Sequence, residues 1–324
     1  MHMIHDALVS FAERRVICMK NAYIAISYVC NENCSFCPCT KKEKSDKLIT
    51  KLEDLTATID DMEINGITDI TLSGGEPTLH PKLPELIKYI QDKGISVTIL
   101  SNGERFSSEE FVRQLALFID MKRLRVITTL HSSDESEHEN ANQTIGSFRR
   151  SIIGLKLLSE LGVRIIIKHC ITKQNYKDLT TFYKFCNEYF PSDVDVQLCS
   201  IDYCGIPENY IENEKLLFCE AKPYLEELFE YDLQLKKSGS KRKLYCINMP
   251  LCSCDPYYWK YMPRSRDKMY DQYKDPHTNK VIKVSDNVGT HEEYCSDCKV
   301  KNICCGTYHT AYEICGKSVI KPYV

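Results

Sequence analysis

Three thiols within eight residues constrain this chain more than any other feature. In Cys30-Asn31-Glu32-Asn33-Cys34-Ser35-Phe36-Cys37 they stand at C-x3-C-x2-C, directly after an apolar run of strand length, Tyr23 to Val29. Thiolates so spaced can converge on one metal centre, and soft sulfur ligands favour iron–sulfur clusters, zinc or copper(I) over hard cations. A tetrahedral structural zinc site and an all-cysteine cluster each take four protein ligands, and this stretch supplies three. A centre held by three leaves a position open for a small molecule, which suits chemistry better than stapling.

Such a reading needs reduced thiols. The chain has 18 cysteines in 324 residues, but Met1 to Lys20 shows no basic-then-apolar leader, and Glu13, Arg14 and Arg15 interrupt its first apolar stretch. The cysteines therefore read as metal ligands and thiols in a reducing cytoplasm rather than a disulfide framework. No apolar run reaches the roughly 20 residues that a membrane span needs, so no membrane is expected. A net charge of −3 gives no global attraction to nucleic acid and leaves the partner open.

Periodicity sets the fold. Leu48, Leu52, Leu55, Ile59 and Met62 recur at helical steps after Ser45, a potential cap, and Gly66 ends the helix. A strand at Ile67–Ser73 runs into Gly74-Gly75-Glu76-Pro77, and Leu83, Leu86, Ile87 and Ile90 mark the next helix. A strand at Ile95–Ser101 ends at Asn102-Gly103, with Ser107 and Glu110 at capping-box spacing beyond it. Strands at Leu124–Leu130, Val163–Cys170 and Val194–Ser200 alternate with helices near 147–161 and 176–189. Six strand–helix units imply a parallel α/β sheet, and unusual residues at the carboxyl ends of the strands favour a partial (β/α)6 TIM-like barrel over a flat doubly wound sheet.

With Phe36 in the aromatic position, the cysteine loop resembles the signature C-x3-C-x-aromatic-C of the radical S-adenosylmethionine (SAM) superfamily. The resemblance covers residues 20–215. It implies that Cys30, Cys34 and Cys37 hold a [4Fe-4S] cluster whose open iron chelates SAM. Reductive cleavage of SAM, with an electron from a flavodoxin- or ferredoxin-like donor, then yields a 5'-deoxyadenosyl radical that abstracts hydrogen from a substrate. Gly74, Gly75, Glu76 and Pro77 resemble the family's GGE motif, which receives the SAM amino group, although the same residues also make an ordinary strand-to-helix turn. Ser101 and Asn102 match the place of ribose and carboxylate contacts and are at the same time a turn sequence. Thr129 and His131 resemble the element ending strand four in relatives, with local packing as the other reading of His131. His138, in the acidic stretch 134–139, reads as solvated surface. Lys168 and His169 alternate faces, so at most one points inward; Lys168 resembles a lysine that some relatives direct at substrate or SAM, against an outward, snorkelling reading.

Past about Asn213 the alternation fades, and Lys236, Lys237, Lys241, Arg242 and Lys243 surround Ser238-Gly239-Ser240 as an expected linker or exposed loop. Cys295-x2-Cys298-x5-Cys304 is a second metal-ligand spacing. The run Cys295 to Gly306, with Pro250-Leu251-Cys252 upstream and Lys321-Pro322 near the end, resembles a twitch, or shortened SPASM, domain carrying one auxiliary [4Fe-4S] cluster, over about 245–324. The resemblance implies Cys252, Cys295, Cys298 and Cys304 as ligands, with Cys246, Cys254, Cys305 and Cys315 as rivals of Cys252 and structural zinc as the other metal. The expected domains are a core over 1–215 and a linker with the auxiliary domain over 216–324. Between them, 257–283 interleaves Trp259 and tyrosines with Lys260, Arg264, Arg266 and Lys268, which suits a mouth-covering or peptide-docking loop as well as RNA. Relatives of this kind point to a ribosomally made peptide or protein as substrate. RNA or nucleotide modification stands as the alternative, and a non-catalytic zinc-binding adaptor as the reading from another class.

Overall fold

The computed structural model describes residues 20–37, 39, 48–204, 206, 208–263, 270–274, 281–283 and 289–324; Ser45, Arg264, Arg266 and Lys268 lie outside them. In chain order the elements begin β1 (Asn21–Ser27), α1 (Leu52–Ile64), β2 (Asp69–Gly74), α2 (Leu83–Asp92), β3 (Ser96–Ser101) and α3 (Glu109–Phe118). They continue with β4 (Leu124–Thr129), α4 (Glu135–Asn142), α5 (Ser147–Glu160), β5 (Arg164–Ile171), α6 (Leu179–Tyr189), β6 (Asp195–Ser200) and α7 (Glu208–Glu214). The last are α8 (Phe218–Lys237), β7 (Leu244–Ile247), β8 (Gln272–Lys274), β9 (Val281–Lys283) and α9 (His309–Cys315). These fall in two compact units, one drawn from Cys18–Lys168 and Tyr270–Ser285, the other from His169–Met269 and Asp286–Val324.

In the first unit β1 to β4 pair parallel in sequence order, and β4 pairs parallel with β5 through Lys168. Helices cover the sheet, so the strands are apolar almost throughout; Ile24, Ile70, Leu72, Ile99 and Val126 are fully buried. The periodic faces read from sequence are the faces that pack: Leu55, Ile59 and Met62 on α1, and Leu86, Ile87 and Ile90 on α2, are wholly buried. The first helix starts later than expected. Leu48 is extended beside β1, its carbonyl accepting from Tyr28 N–H at 3.0 Å, because Thr50 N–H also bonds back to Ile26. The cap of α3 is Ser108, not Ser107, with its hydroxyl accepting from Phe111 N–H at 3.3 Å. β8 adds parallel to β1, and β9 antiparallel to β8. Buried Lys274 of β8 donates to Thr58 Oγ1 and, at 3.1 Å, to the Asp54 carbonyl on α1.

In the second unit the alternation does not fade. α8 is a 20-residue helix, and it leads to β7, parallel to β6. Arg242, expected in an exposed loop, is 1% exposed. Its guanidinium donates to the carbonyls of Cys186 (3.0 Å), Phe190 (2.8 Å), Pro191 (3.0 Å) and Val194, closing the C-terminal end of α6. Asn187 Oδ1 accepts from its Nε at 3.0 Å, so five acceptors surround the guanidinium, which is why it is buried despite its charge. Trp259 is also core, 1% exposed with Nε1 donating to the Leu251 carbonyl at 3.0 Å, so it is no open stacking platform.

Candidate functional site

The first site is built where β1 and β2 end. Gly75 N–H donates to the Ser27 carbonyl at 2.7 Å and Glu76 N–H to the Val29 carbonyl at 2.8 Å, fastening the start of the cysteine loop to the Gly-Gly turn. A Cβ on Gly74 (φ +133°) would lie 1.9 Å from the Ser27 oxygen, and one on Gly75 2.4 Å from the Val29 oxygen. Only glycine fits there. Pro77 opens a short 3₁₀ turn with Glu76 as its N-cap, so the expected turn is present as well.

Glu76 is 1% exposed. Its Oε1 accepts from Thr78 N–H (2.9 Å), Thr78 Oγ1 (2.5 Å) and Ser101 Oγ (2.8 Å), and its Oε2 from Asn102 N–H (2.7 Å). Burial raises its pKa above the usual carboxylate range, and these donors pull it back. The acid thus joins the ends of β2 and β3 and keeps room at Oε2 for a further donor. Asn102 Nδ2 donates to Asn31 Oδ1 at 2.9 Å; Asn31 Nδ2 donates to Glu104 Oε1 at 2.6 Å, and Arg150 Nε to Glu104 Oε2 at 2.6 Å. Ser101, Asn102 and Glu76 are therefore one network with the cysteine loop.

Cys30, Cys34 and Cys37 are each half-buried on that loop. Phe36 is buried and meets His131 edge-on at 5.2 Å, so the loop packs on the residues following β4. Thr129, at the end of β4, stands opposite Lys168 in the parallel register with β5. Lys168 lies near Tyr23 and Tyr270, whose pKa values burial raises and the lysine charge lowers. His169 stacks on Phe182 at 4.0 Å, as strand alternation requires of the neighbour turned the other way. His138 is not solvated surface. It is 1% exposed, its Nδ1 accepts from His131 N–H at 3.2 Å, and its ring stands 5.2 Å from that of His131. The reason is that 135–142 forms α4 rather than an acidic loop, with Asp134 as N-cap.

Among the described residues, the ligand atoms of Glu32, Cys34 and His131 are the trio lying within 4.8 Å of one another. Burial, then the charges of Glu104 and Glu76, push Glu32 up to about 8. Sulfurs around one tetrahedral zinc stand roughly 3.8 Å apart, given Zn–S near 2.3 Å. No three of the cysteine sulfurs meet even the 4.8 Å limit among the described residues. Three soft thiols on one loop are a donor set of the kind an iron–sulfur cluster takes.

The second site lies in the other unit. Cys252, Cys295, Cys298 and Cys304 line one cavity, together with His291 and Tyr312. Cys304 Sγ accepts from Leu251 N–H (3.3 Å) and Gly306 N–H (3.4 Å), and Cys295 Sγ lies 3.9 Å from Tyr312 Oη. Burial pushes the Cys252 thiol up to about 12; the neighbouring Cys304, Cys295 and Cys298 add to the rise, which places all four within electrostatic reach. Gly306 (φ +72°) lets the chain pass Thr290, whose oxygen would stand 2.0 Å from a Cβ there. The rival thiols are turned elsewhere: Cys305 donates to the Met249 carbonyl at 3.2 Å, Cys315 lies 4.0 Å from Tyr203 Oη, and Cys246 and Cys254 are buried near each other. The sequence did not single out His291, whose buried Nε2 has no hydrogen-bond partner among the described residues and whose pKa burial lowers. Its place four residues before Cys295 was the available signal.

The family model of the radical SAM superfamily matches residues 24–186, half of the chain, and takes in the cysteine loop, the Gly-Gly turn, the end of β1 and the strands β2 to β5. The chain belongs to the radical SAM superfamily. Enzymes of this superfamily use a [4Fe-4S] cluster and SAM, and the cysteine-rich C-terminal region fits an auxiliary cluster. The chain is similar to the Fe-coproporphyrin III synthase of Methanosarcina barkeri, 24% identical over 233 residues, 71% of this chain and 55% of that protein. It is also similar to the sporulation killing factor maturation protein SkfB of Bacillus subtilis, 25% identical over 169 residues, 50% of this chain and 38% of that one. It therefore spans about half or less of the length of these relatives. Streptococcus suis SuiB bound to precursor peptide SuiA superposes with a TM-score of 0.60 at 18% identity, covering 84% of this chain and 61% of SuiB. That likeness gives the fold: a parallel-stranded α/β partial barrel. Among the described residues no helix is long and apolar enough to cross a membrane.

Proposed function

We propose that this chain is a radical SAM enzyme acting on a ribosomally made peptide or protein. Cys30, Cys34 and Cys37 are read as the ligands of the SAM-binding cluster, and Cys252, Cys295, Cys298 and Cys304 as those of an auxiliary cluster. When bound, cluster and SAM supply an electron and a 5'-deoxyadenosyl radical. The chain's own residues hold and position. Asn102 and Ser101 are held by Glu76 beside the cysteine loop, offering polar groups to a nucleoside and an amino acid end. Glu76, with room at Oε2, is the acid that would pair with a SAM ammonium. Phe36 and His131 pack the loop against the residues after β4, and Thr129 and Lys168 stand in register at the adjacent strand ends. We place the SAM-dependent core over 1–215 and the auxiliary function over 216–324.

The observation that carries this reading is the clasp of the cysteine loop by Gly75 and Glu76, with the Glu76 carboxylate reaching β3. The peptide as substrate is supported by the names of two similar proteins, a killing-factor maturation protein and a precursor-peptide complex. The experiment is anaerobic reconstitution, reduction with dithionite in the presence of SAM, and measurement of 5'-deoxyadenosine. Release by the parent chain and none by the Cys30→Ala/Cys34→Ala/Cys37→Ala chain is expected. Undiminished release from the triple variant would sink the ligand assignment, and zinc in place of iron would favour the adaptor. Adding short peptides encoded beside this gene, and looking for loss of hydrogen from them by mass spectrometry, tests the substrate class.

A further inference from the structure

Helix α4 is a surface-charged segment with three acidic residues in eight, Glu135, Glu137 and Glu139, yet its last residue is wholly buried. The closing carbonyls of a helix have no partner within it. Here two of them serve the cysteine loop: Asn33 N–H donates to the Asn142 carbonyl and Ser35 N–H to the Ala141 carbonyl, both at 3.0 Å. Asn33 and Ser35 flank Cys34 on either side. The Asn142 side chain reaches the same loop from within. Its Nδ2 donates to Glu32 Oε1 at 2.8 Å, while Glu32 Oε2 lies 3.5 Å from Cys34 Sγ. The amide is itself held, with Oδ1 accepting from Thr144 N–H at 3.1 Å, Ser147 Oγ 2.9 Å from Nδ2, and His138 Nε2 3.2 Å away.

We propose that Asn142 is a positioning residue for the cysteine loop, setting where Cys34 stands through its carbonyl to Asn33 and its amide to Glu32. The inference rests on the reading of Cys30, Cys34 and Cys37 as cluster ligands. Partners behind a metal ligand orient it, and losing one weakens metal retention by about 10- to 100-fold; Asn142 acts on Cys34 at one remove, through Glu32 and the Asn33 N–H. Asn suits the position because one side chain supplies both the donor for Glu32 and the acceptor for Thr144.

Chelator competition on the reconstituted full chain tests this, with the Cys30→Ala/Cys34→Ala/Cys37→Ala chain giving the auxiliary iron alone. Asn142→Ala should release the loop iron at about 10- to 100-fold lower chelator concentration while retaining the auxiliary iron. It should also lose, in proportion, the change that SAM causes in the electron paramagnetic resonance spectrum of the reduced protein. Glu32→Ala should behave alike, and Glu32→Gln, which keeps an acceptor for Asn142, should stay near the parent. The Asn142→Ala/Glu32→Ala chain should be no weaker than the poorer single variant, because both delete one interaction. Parental chelator resistance and spectrum in Asn142→Ala, or equal loss of auxiliary iron with a collapsed melting transition, would overturn the proposal. A parent chain whose iron is untouched by the triple replacement would overturn the loop assignment beneath it.

Discussion

His80 shows how a single buried side chain ties stability to pH. It is 3% exposed; its Nε2 meets the Thr50 carbonyl at 2.8 Å, and its Nδ1 accepts from Lys82 N–H at 3.1 Å. Burial lowers its pKa below the ordinary 6.5, with the Thr50 carbonyl acting against that. As pH falls through 6.5 the unfolded chain takes up a proton that the folded chain refuses, so the contribution is present above 6.5 and is lost below it. Melting temperatures from pH 8 to 5 should therefore fall less steeply for His80→Gln than for the parent; parallel slopes would exclude His80 as a source. Residues of this kind also mark what the sequence could yield. Cys30, Glu76, Ser101 and Asn102 were legible because motif spacing names them, and the fold joins them through Asn31. Asn142 and His138 were not, because their roles come from a contact spanning 110 positions and from a helix whose polar sequence reads as a solvated loop.

Elements follow the same division. α2 was legible because a 3–4 apolar spacing appears in any helix that packs on a sheet, and Leu83 to Ile90 bury as that spacing requires. α8 was obscured by Pro223, which stands inside the helix and reads as a breaker, and by the basic run that closes it, although cations suit a helix C-terminus. β7 is four residues long, too short for alternation to register, and its neighbour Arg242 looks like surface until its partners are known. Those partners make the element-scale prediction. Arg242 holds the end of α6 through a planar fork that lysine cannot reproduce. Each buried carbonyl left unmatched costs about 1–3 kcal/mol. Arg242→Lys should therefore lower the urea midpoint, and hydrogen exchange should show the loss concentrated at the last turn of α6. An unchanged midpoint would mean that water satisfies those carbonyls as well as the guanidinium does.

At the scale of the molecule, two cysteine groups sit in two compact units, and each has its supports within its own. The loop leans on Gly75, Glu76, Ala141 and Asn142. The cavity thiols lean on Leu251, Gly306 and Tyr312. The strand–helix alternation that announced the first unit is a property of long-period apolar pattern, whereas the cavity was readable only as spacing, since 289–307 folds through turns and a Thr290–Thr307 bridge. Separate supports imply separable losses. Cys295→Ala/Cys298→Ala should bring iron from about eight to about four per chain, the content of one [4Fe-4S] cluster. That chain should still release 5'-deoxyadenosine when reduced with SAM, because the named supports of the loop belong to the loop's own unit, but it should no longer turn over a substrate whose reaction needs the auxiliary group. Loss of deoxyadenosine along with the iron would mean that the loop's integrity depends on the auxiliary region through interactions other than those that hold each group in place.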